Sequence, residues 1–202
     1  MGVVLLGLSG QLTMNDRFTH AMDAMTDVII KRVDAFDLEA YARLRNICFD
    51  DLEKHSLEFT ETVKAESDRN PIEMADLKKL VGPLTRFAAY EGDELIGVSS
   101  GFHERGRVFY MASSAVAPEY RRQGIYTKLL KAIGESAQAE GAVKMRSQHS
   151  VLNNKIIIIK LVLGWHITGL TTSEQMGSLV ELSYNFSNER KDLFKNRVIP
   201  YK

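Results

Sequence analysis

The stretch from Val108 to Leu130 constrains this chain more than any other part of it. Val108–Val116 is a mostly apolar run that reads as a strand. A proline turn follows at Ala117-Pro118, then a basic turn, Arg121-Arg122-Gln123-Gly124. Thr127–Gln138 reads as an amphipathic helix with Leu129, Leu130 and Ile133 on one face. A helix N-terminus leaves backbone N–H groups unpaired and carries partial positive charge. Gly124 has no Cβ to keep a ligand away, and Arg121 and Arg122 add charge beside it. The combination predicts an anion site built mainly from main-chain donors, the kind that holds a pyrophosphate. The plainer alternative is an ordinary strand-to-helix turn with solvated arginines. Pro118 together with Arg121 to Gly124 in one short run favours the anion site.

The elements around this segment are those of one mixed α/β domain. Asp27–Val33 reads as a first strand, and Asp37 caps a helix in which Leu38, Tyr41, Leu44, Cys48 and Leu52 recur at three or four residues. Helical pieces are expected at 56–64 and 72–81, broken at Asn70-Pro71 and ended at Gly82-Pro83. Thr85–Tyr90 and Glu94–Phe102 flank Glu91-Gly92-Asp93, a hairpin signal. With a turn at Arg105-Gly106-Arg107, residues 85–116 form an antiparallel meander. Val143–Gln148, Trp165–Leu170 and Leu179–Phe186 read as further strands. The apolar run Asn154–Leu163 is ambiguous by pattern alone.

Bulk properties narrow the function. A chain of 202 residues is long enough for one domain with a real core. Lys+Arg and Asp+Glu are both 26, so no basic excess is available for nucleic acid. Cys48 is the only cysteine, which leaves no intrachain disulfide and reads as a small buried apolar residue. Val3–Leu8 is too short to span a bilayer and lacks a basic flank, and Leu6 breaks the myristoylation pattern. Residues 1–27 are therefore expected to be an extension, with Met14, Met22 and Met25 as alternative starts. A cytoplasmic protein is expected, with no metal and no membrane partner.

Two motifs carry a resemblance. Val116-Ala117-Pro118, followed by Arg121-Arg122-Gln123-Gly124-Ile125-Tyr126, is similar to the central motif of the GNAT N-acetyltransferase superfamily: Val-x-Pro, then Arg/Gln-x-x-Gly-x-Gly/Ala. Arg121 and Gly124 match. Tyr126 replaces the usual Gly or Ala, and its ring would crowd an anion if it pointed inward. Downstream, Asn153-Asn154-Lys155-Ile156-Ile157 leading to Leu163-Gly164-Trp165 resembles the family's Asn-x-x-Ala-Ile, Tyr and Leu-Gly-Phe. Counting back from Gly164 puts Asn153 on the family's Asn and Lys160 on its Tyr.

The resemblance covers residues 28–186, with 187–202 as a C-terminal tail. It implies a central, mostly antiparallel sheet of six to seven strands, splayed between the fourth and fifth and flanked by helices. The run at 154–163 becomes a helix that stops at Gly164. Acetyl-CoA is implied as acyl-donor cosubstrate, and an amine as acceptor. In that likeness the backbone of Arg122, Gln123, Gly124, Ile125, Tyr126 and Thr127 grips the CoA pyrophosphate, with Arg121 beside it. Ser114, Ala115 and Val116 hydrogen-bond the pantetheine arm, and Asn153 sits near it at the helix start.

Direct transfer needs a base for the acceptor ammonium, a donor for the carbonyl oxygen and a proton for the departing thiolate. A backbone N–H near Val116 suits the carbonyl. His149, with an ordinary pKa of about 6.5, is the candidate base. Glu104 and His103 sit at a hairpin end and read as surface residues. In the family the Tyr often protonates the thiolate. Lys160 could do so if desolvation lowered its pKa. Otherwise it is a surface or phosphate-contacting lysine, and Tyr184 or water supplies the proton. Of Tyr110 and Met111, one lines the acceptor pocket and the other packs inside. Two other classes fit the same motifs. One is a module that holds acyl-CoA without turnover. The other resembles acyl-homoserine-lactone synthases and takes longer chains in a splay widened at Ala112, Ser113 and Ser114. The tail could dock on a neighbour and make a homodimer. The acceptor itself is not legible, because substrate choice lies in loops.

Overall fold

The computed structural model describes residues 27–49 and 83–198, with positions 64 and 68 between them. The expected extension before residue 27 and the expected helical pieces at 56–64 and 72–81 fall essentially outside the described residues.

Seven strands form one sheet: β1 (Val28–Arg32), β2 (Thr85–Glu91), β3 (Glu94–Glu104), β4 (Val108–Val116), β5 (Lys144–Ser150), β6 (His166–Ser173) and β7 (Gly177–Asn185), in the order β1-β2-β3-β4-β5-β7-β6. Every pairing is antiparallel except β4–β5. The meander follows from its turns, since Gly92 and Gly106 both take positive φ where the chain reverses. Four helices flank the sheet: α1 (38–49), α2 (Ile125–Ala139), α3 (Asn154–Val162) and α4 (Asn188–Val198). The Asp37 carboxylate accepts from the Ala40 N–H at 2.8 Å, as its position before α1 predicts. Helix α2 begins at Ile125, two residues before the sequence reading starts it. The C-terminal segment is helical over α4 and lies on this chain's own sheet, where Lys191 bonds the Tyr184 hydroxyl and Phe194 stacks on His166. No described helix is long and apolar enough to cross a membrane.

Each face of the sheet buries its own cluster. Leu129, Leu130 and Ile133 of α2 pack on Phe87, Ala89, Ile96, Phe109 and Met145. On the opposite face Leu44 of α1 meets Ala88, Leu95, Val98 and Ala115. The alternation of strand side chains assigns these residues to their faces.

The parallel contact is short. Only Val108, Phe109 and Tyr110 of β4 pair with β5, at Lys144, Met145 and Arg146. β5 goes on to pair with β7 along its whole length, from Lys144 to Ser150. The strands part where β4 carries a bulge. Ser100 pairs with Ser113 and Gly101 with Met111, which leaves Ala112 unmatched. A bulge bends its strand and increases local twist, so β4 turns away from β5 just past Tyr110. Gly101 makes this possible. A Cβ there would collide with the Tyr110 carbonyl and the buried Phe109 ring. Gly101→Ala is therefore expected to lower stability by about 2 kcal/mol through overpacking, read as a lower urea midpoint. An unchanged midpoint would show that the bulge tolerates a side chain.

Candidate active site where two strands part

The basic turn is shaped by two residues with positive φ. Arg122 takes φ +65° and Gly124, the N-cap of α2, takes φ +76°. Gly124 has no side chain to cap the helix, so the N–H groups of Ile125, Tyr126 and Thr127 face the helix mouth without intrahelical partners. Arg121 does not reach into this mouth. Its Nε donates to the Val116 carbonyl at 2.9 Å, and its Nη2 lies 3.6 Å from Cys48 Sγ. Arg121 thus ties the turn to the end of β4, and Cys48 joins it there as a half-buried neighbour, not a core residue. Gln123 is held by the Glu119 carbonyl at 3.1 Å. The Tyr126 ring packs on the apolar core under α2, away from the turn, and burial holds its hydroxyl above the usual phenol range. The departure at Tyr126 thus leaves the mouth open.

The freed stretch of β4 offers a strand edge. Ala117 N–H bonds to the Ile96 carbonyl at 2.9 Å. By antiparallel alternation, Ala115 and Ser113 also spend their main-chain groups on β3, whereas Ser114 and Val116 turn theirs toward the gap. The Val116 carbonyl is taken by Arg121. The Val116 N–H and both main-chain groups of Ser114 remain. Ala115 contributes a methyl to the core under α1 and not a hydrogen bond to the gap.

At the apex of the gap lies Lys160. Helix α3 (NKIIIIKLV) buries this lysine to 1% exposure while leaving Ile158 at 59% and Val162 at 69%. The expectation of a surface or phosphate-contacting lysine is therefore overturned. Asn153, as expected, stands at the helix start, and its side chain accepts from the Ile156 N–H at 3.4 Å. Lys160 Nζ donates to Ser147 Oγ at 2.7 Å, touches Met111 Sδ at 3.8 Å and lies 4.1 Å from the Trp165 ring centre. Met111 and Ser147 are the first residues of β4 and β5 beyond the last strand pair. Lys160 has no carboxylate partner among the described residues. Burial desolvates its amine with no opposite charge beside it, which lowers its pKa to about 7.

His149 follows two residues after Ser147 on the same face of β5. Its Nε2 lies 3.1 Å from Ser147 Oγ. Burial first, and the Lys160 charge second, hold its pKa at about 3, far below the ordinary value. An ammonium can only donate, so Ser147 Oγ accepts from Lys160, and the direction of its bond with His149 Nε2 is set by the imidazole tautomer. The three side chains form one chain of hydrogen bonds. Tyr184 stands apart from it, with its ring 5.9 Å from Trp165 and its hydroxyl held by Lys191 at 3.1 Å. The other base candidates are engaged elsewhere. Arg146 grips Glu104 at 2.6 Å, and His103 meets Glu140 at 3.0 Å. On the opposite face of the parting strands the half-buried Tyr110 bonds Gln148 Oε1 at 3.4 Å, while Met111 packs inside. Sequence reasoning missed Ser147 and the Trp165 ring face. Their signal was the two-residue spacing from His149 and the i+5 spacing from Lys160.

The model described as the acetyltransferase (GNAT) family matches residues 45–157, more than half of the chain. Similar solved structures include a probable acetyltransferase from Staphylococcus epidermidis ATCC 12228 at 14% identity, covering 79% of this chain and 99% of that one, with a TM-score of 0.60. The ribosomal-protein-S18-alanine N-acetyltransferase from Escherichia coli is 14% identical over 79% of this chain and 94% of its own, with a TM-score of 0.56. A Bacillus subtilis acetyltransferase in complex with CoA is 14% identical over 79% of this chain and 99% of its own, at 0.55. No curated protein matches the chain. The seven-stranded sheet with its one parallel pair, β4–β5, and its four flanking helices matches the fold of these structures. The chain belongs to the GNAT acetyltransferase family.

The buried lysine has a measurable consequence. Its folded pKa lies below its unfolded one, so the unfolded state binds the extra proton between about pH 7 and about pH 10.4. Stability therefore rises with pH across that window, by up to about 1.4 kcal/mol per unit. In Lys160→Met this rise is expected to flatten and stability at pH 7 to increase, as denaturation at several pH values would show. A variant with the same slope as the parent would rule out a buried neutral amine.

Proposed function

We propose that the chain transfers an acetyl group from acetyl-CoA to an amine by direct attack, with the thioester in the gap between β4 and β5. The observation that supports this best is one juxtaposition: an uncapped helix mouth, a free strand edge and a buried lysine line the same parting of strands. The main-chain N–H groups of Arg122 to Thr127 take the diphosphate, helped by the helix dipole. Ser114 and Val116 pair with the amide arm of the coenzyme as a strand would. The Bacillus subtilis relative of this fold was solved with CoA bound, which supports the choice of donor.

In this reading Lys160, rather than Tyr184, delivers a proton to the departing thiolate, and the proton shed by the attacking amine passes to water and so restores the Lys160 ammonium. Ser147 fixes the direction of the Lys160 proton, and Asn153 fixes the start of the helix that carries it. His149, neutral and a weak base at pH 7, anchors Ser147 and does not deprotonate the acceptor. In this reading the Val116 N–H and the Ser114 carbonyl serve the amide arm, and the Ser114 N–H, nearer Lys160 along β4, donates to the thioester carbonyl oxygen. The acceptor amine enters from the face of Tyr110 and Gln148, where Glu104 and Glu181 outnumber Arg146.

Asp tolerates the left-handed backbone better than most residues, so Gly124→Asp tests the site with less strain than other side chains would bring. It sets a carboxylate at the helix mouth and is expected to weaken acetyl-CoA binding at least about tenfold by calorimetry, with folding retained. Equal affinity would remove the diphosphate from this turn. Catalysis by Lys160 predicts a second result. With a saturating amine, kcat falls as pH rises through about 7, because the donor loses its proton. Lys160→Met should lose that limb along with most of kcat. A limb that survives the substitution belongs to another group.

A further inference from the structure

We propose that Lys160 is also a self-acylation site, where the thioester bound in the gap acylates the lysine ε-amine and silences the enzyme. The proposal rests on the reading of the gap as the acyl-CoA site.

Helix α3 is turned against its own hydrophobicity. Ile158 and Val162 stay exposed on its outer side, yet the lysine is what points inward. The amine therefore lies among Met111, Ser147 and Trp165, at the apex where β4 and β5 part. The titratable group facing it is His149 on β5, which burial keeps neutral. β4 presents Met111 and the residue before β6 is Trp165, neither of which carries charge. Among the described residues only the Ser147 hydroxyl and the face of an indole ring favour its charged form, and neither carries a negative charge. An exposed lysine is neutral about one time in 2,500 at pH 7. Lys160 is neutral about half the time. It is thus a nucleophile on the same gap that delivers the acyl group.

The step balances without any further reagent. The neutral amine adds to the thioester carbonyl carbon, a C–N bond forms and the C–S bond breaks. The thiolate leaves with the proton that the amine gives up, producing Nε-acetyl-lysine and free CoA. The new amide N–H keeps the hydrogen bond to Ser147 Oγ. Met111, unbranched and adaptable, is the neighbour that can yield space for the acetyl group. An amide neither protonates a thiolate nor returns the acyl group to an amine. Each event therefore removes one proton donor from service.

The test incubates the full chain with acetyl-CoA and no acceptor. Intact mass and peptide mapping follow the label, and calorimetry on the same sample follows CoA binding. One acetyl group is expected at Lys160, installed about tenfold faster at pH 8 than at pH 6 and suppressed by excess CoA. Turnover with an added amine should fall in step with the labelled fraction, and Lys160→Arg should lose the label. The map is read on the unaltered chain, so the result does not depend on that variant folding. CoA binding with Lys160 left unlabelled overturns self-acylation and leaves the CoA site standing. So does label spread over surface lysines and indifferent to CoA. If CoA does not bind at all, both fall together.

Discussion

Beyond Tyr110 and Arg146 the two central strands no longer hydrogen-bond to each other, and the main-chain groups of Ser114 and Val116 on β4 are left facing a gap. Unpaired backbone inside a sheet is costly unless something completes it. A bulge at Ala112 opens the gap, and Gly101 makes room for the bulge. Arg121 then braces the far end by holding the Val116 carbonyl, so the uncapped mouth of α2 stands at a fixed place beside the free edge. Backbone geometry does most of this, and few side chains need to be particular for the site to exist.

The apex of the gap is where one side chain does matter. A chain free to choose by hydrophobicity would put an isoleucine of α3 there. Instead it buries Lys160 against a hydroxyl, a thioether and an indole face, none able to neutralise it. Solvent exclusion moves its pKa to about 7, so both protonation states are populated near neutrality. One state is an acid and the other a nucleophile. In the proposed mechanism the first serves turnover and the second ends it, and their opposite pH dependence follows from a single desolvated amine.

The sequence carried the meander, the turn and the positions of the strands along the chain because each rests on local chemistry. Glycines mark the reversals, apolar periods mark the faces, and Gly124 before an amphipathic run marks the helix mouth. The resemblance carried the parting of strands and the helical state of 154–162, which periodicity alone left open. Lys160 was found by counting from Gly164, but its burial was not legible. An inward lysine beside four isoleucines contradicts the rule by which helix faces are assigned. The same holds for His149, whose ordinary pKa made it look like a base until burial and the Lys160 charge were visible. The inward packing of Tyr126 and the bracing role of Arg121 depend on tertiary neighbours far along the chain, Cys48 among them.

A crystal of the chain soaked with CoA tests the central claim most directly. The account predicts the diphosphate on the main-chain N–H groups of residues 122–127, the pantetheine along Ser114 and Val116, and the sulfur within reach of Lys160 Nζ. Coenzyme bound elsewhere, or β4 and β5 closed over an empty gap, would contradict it.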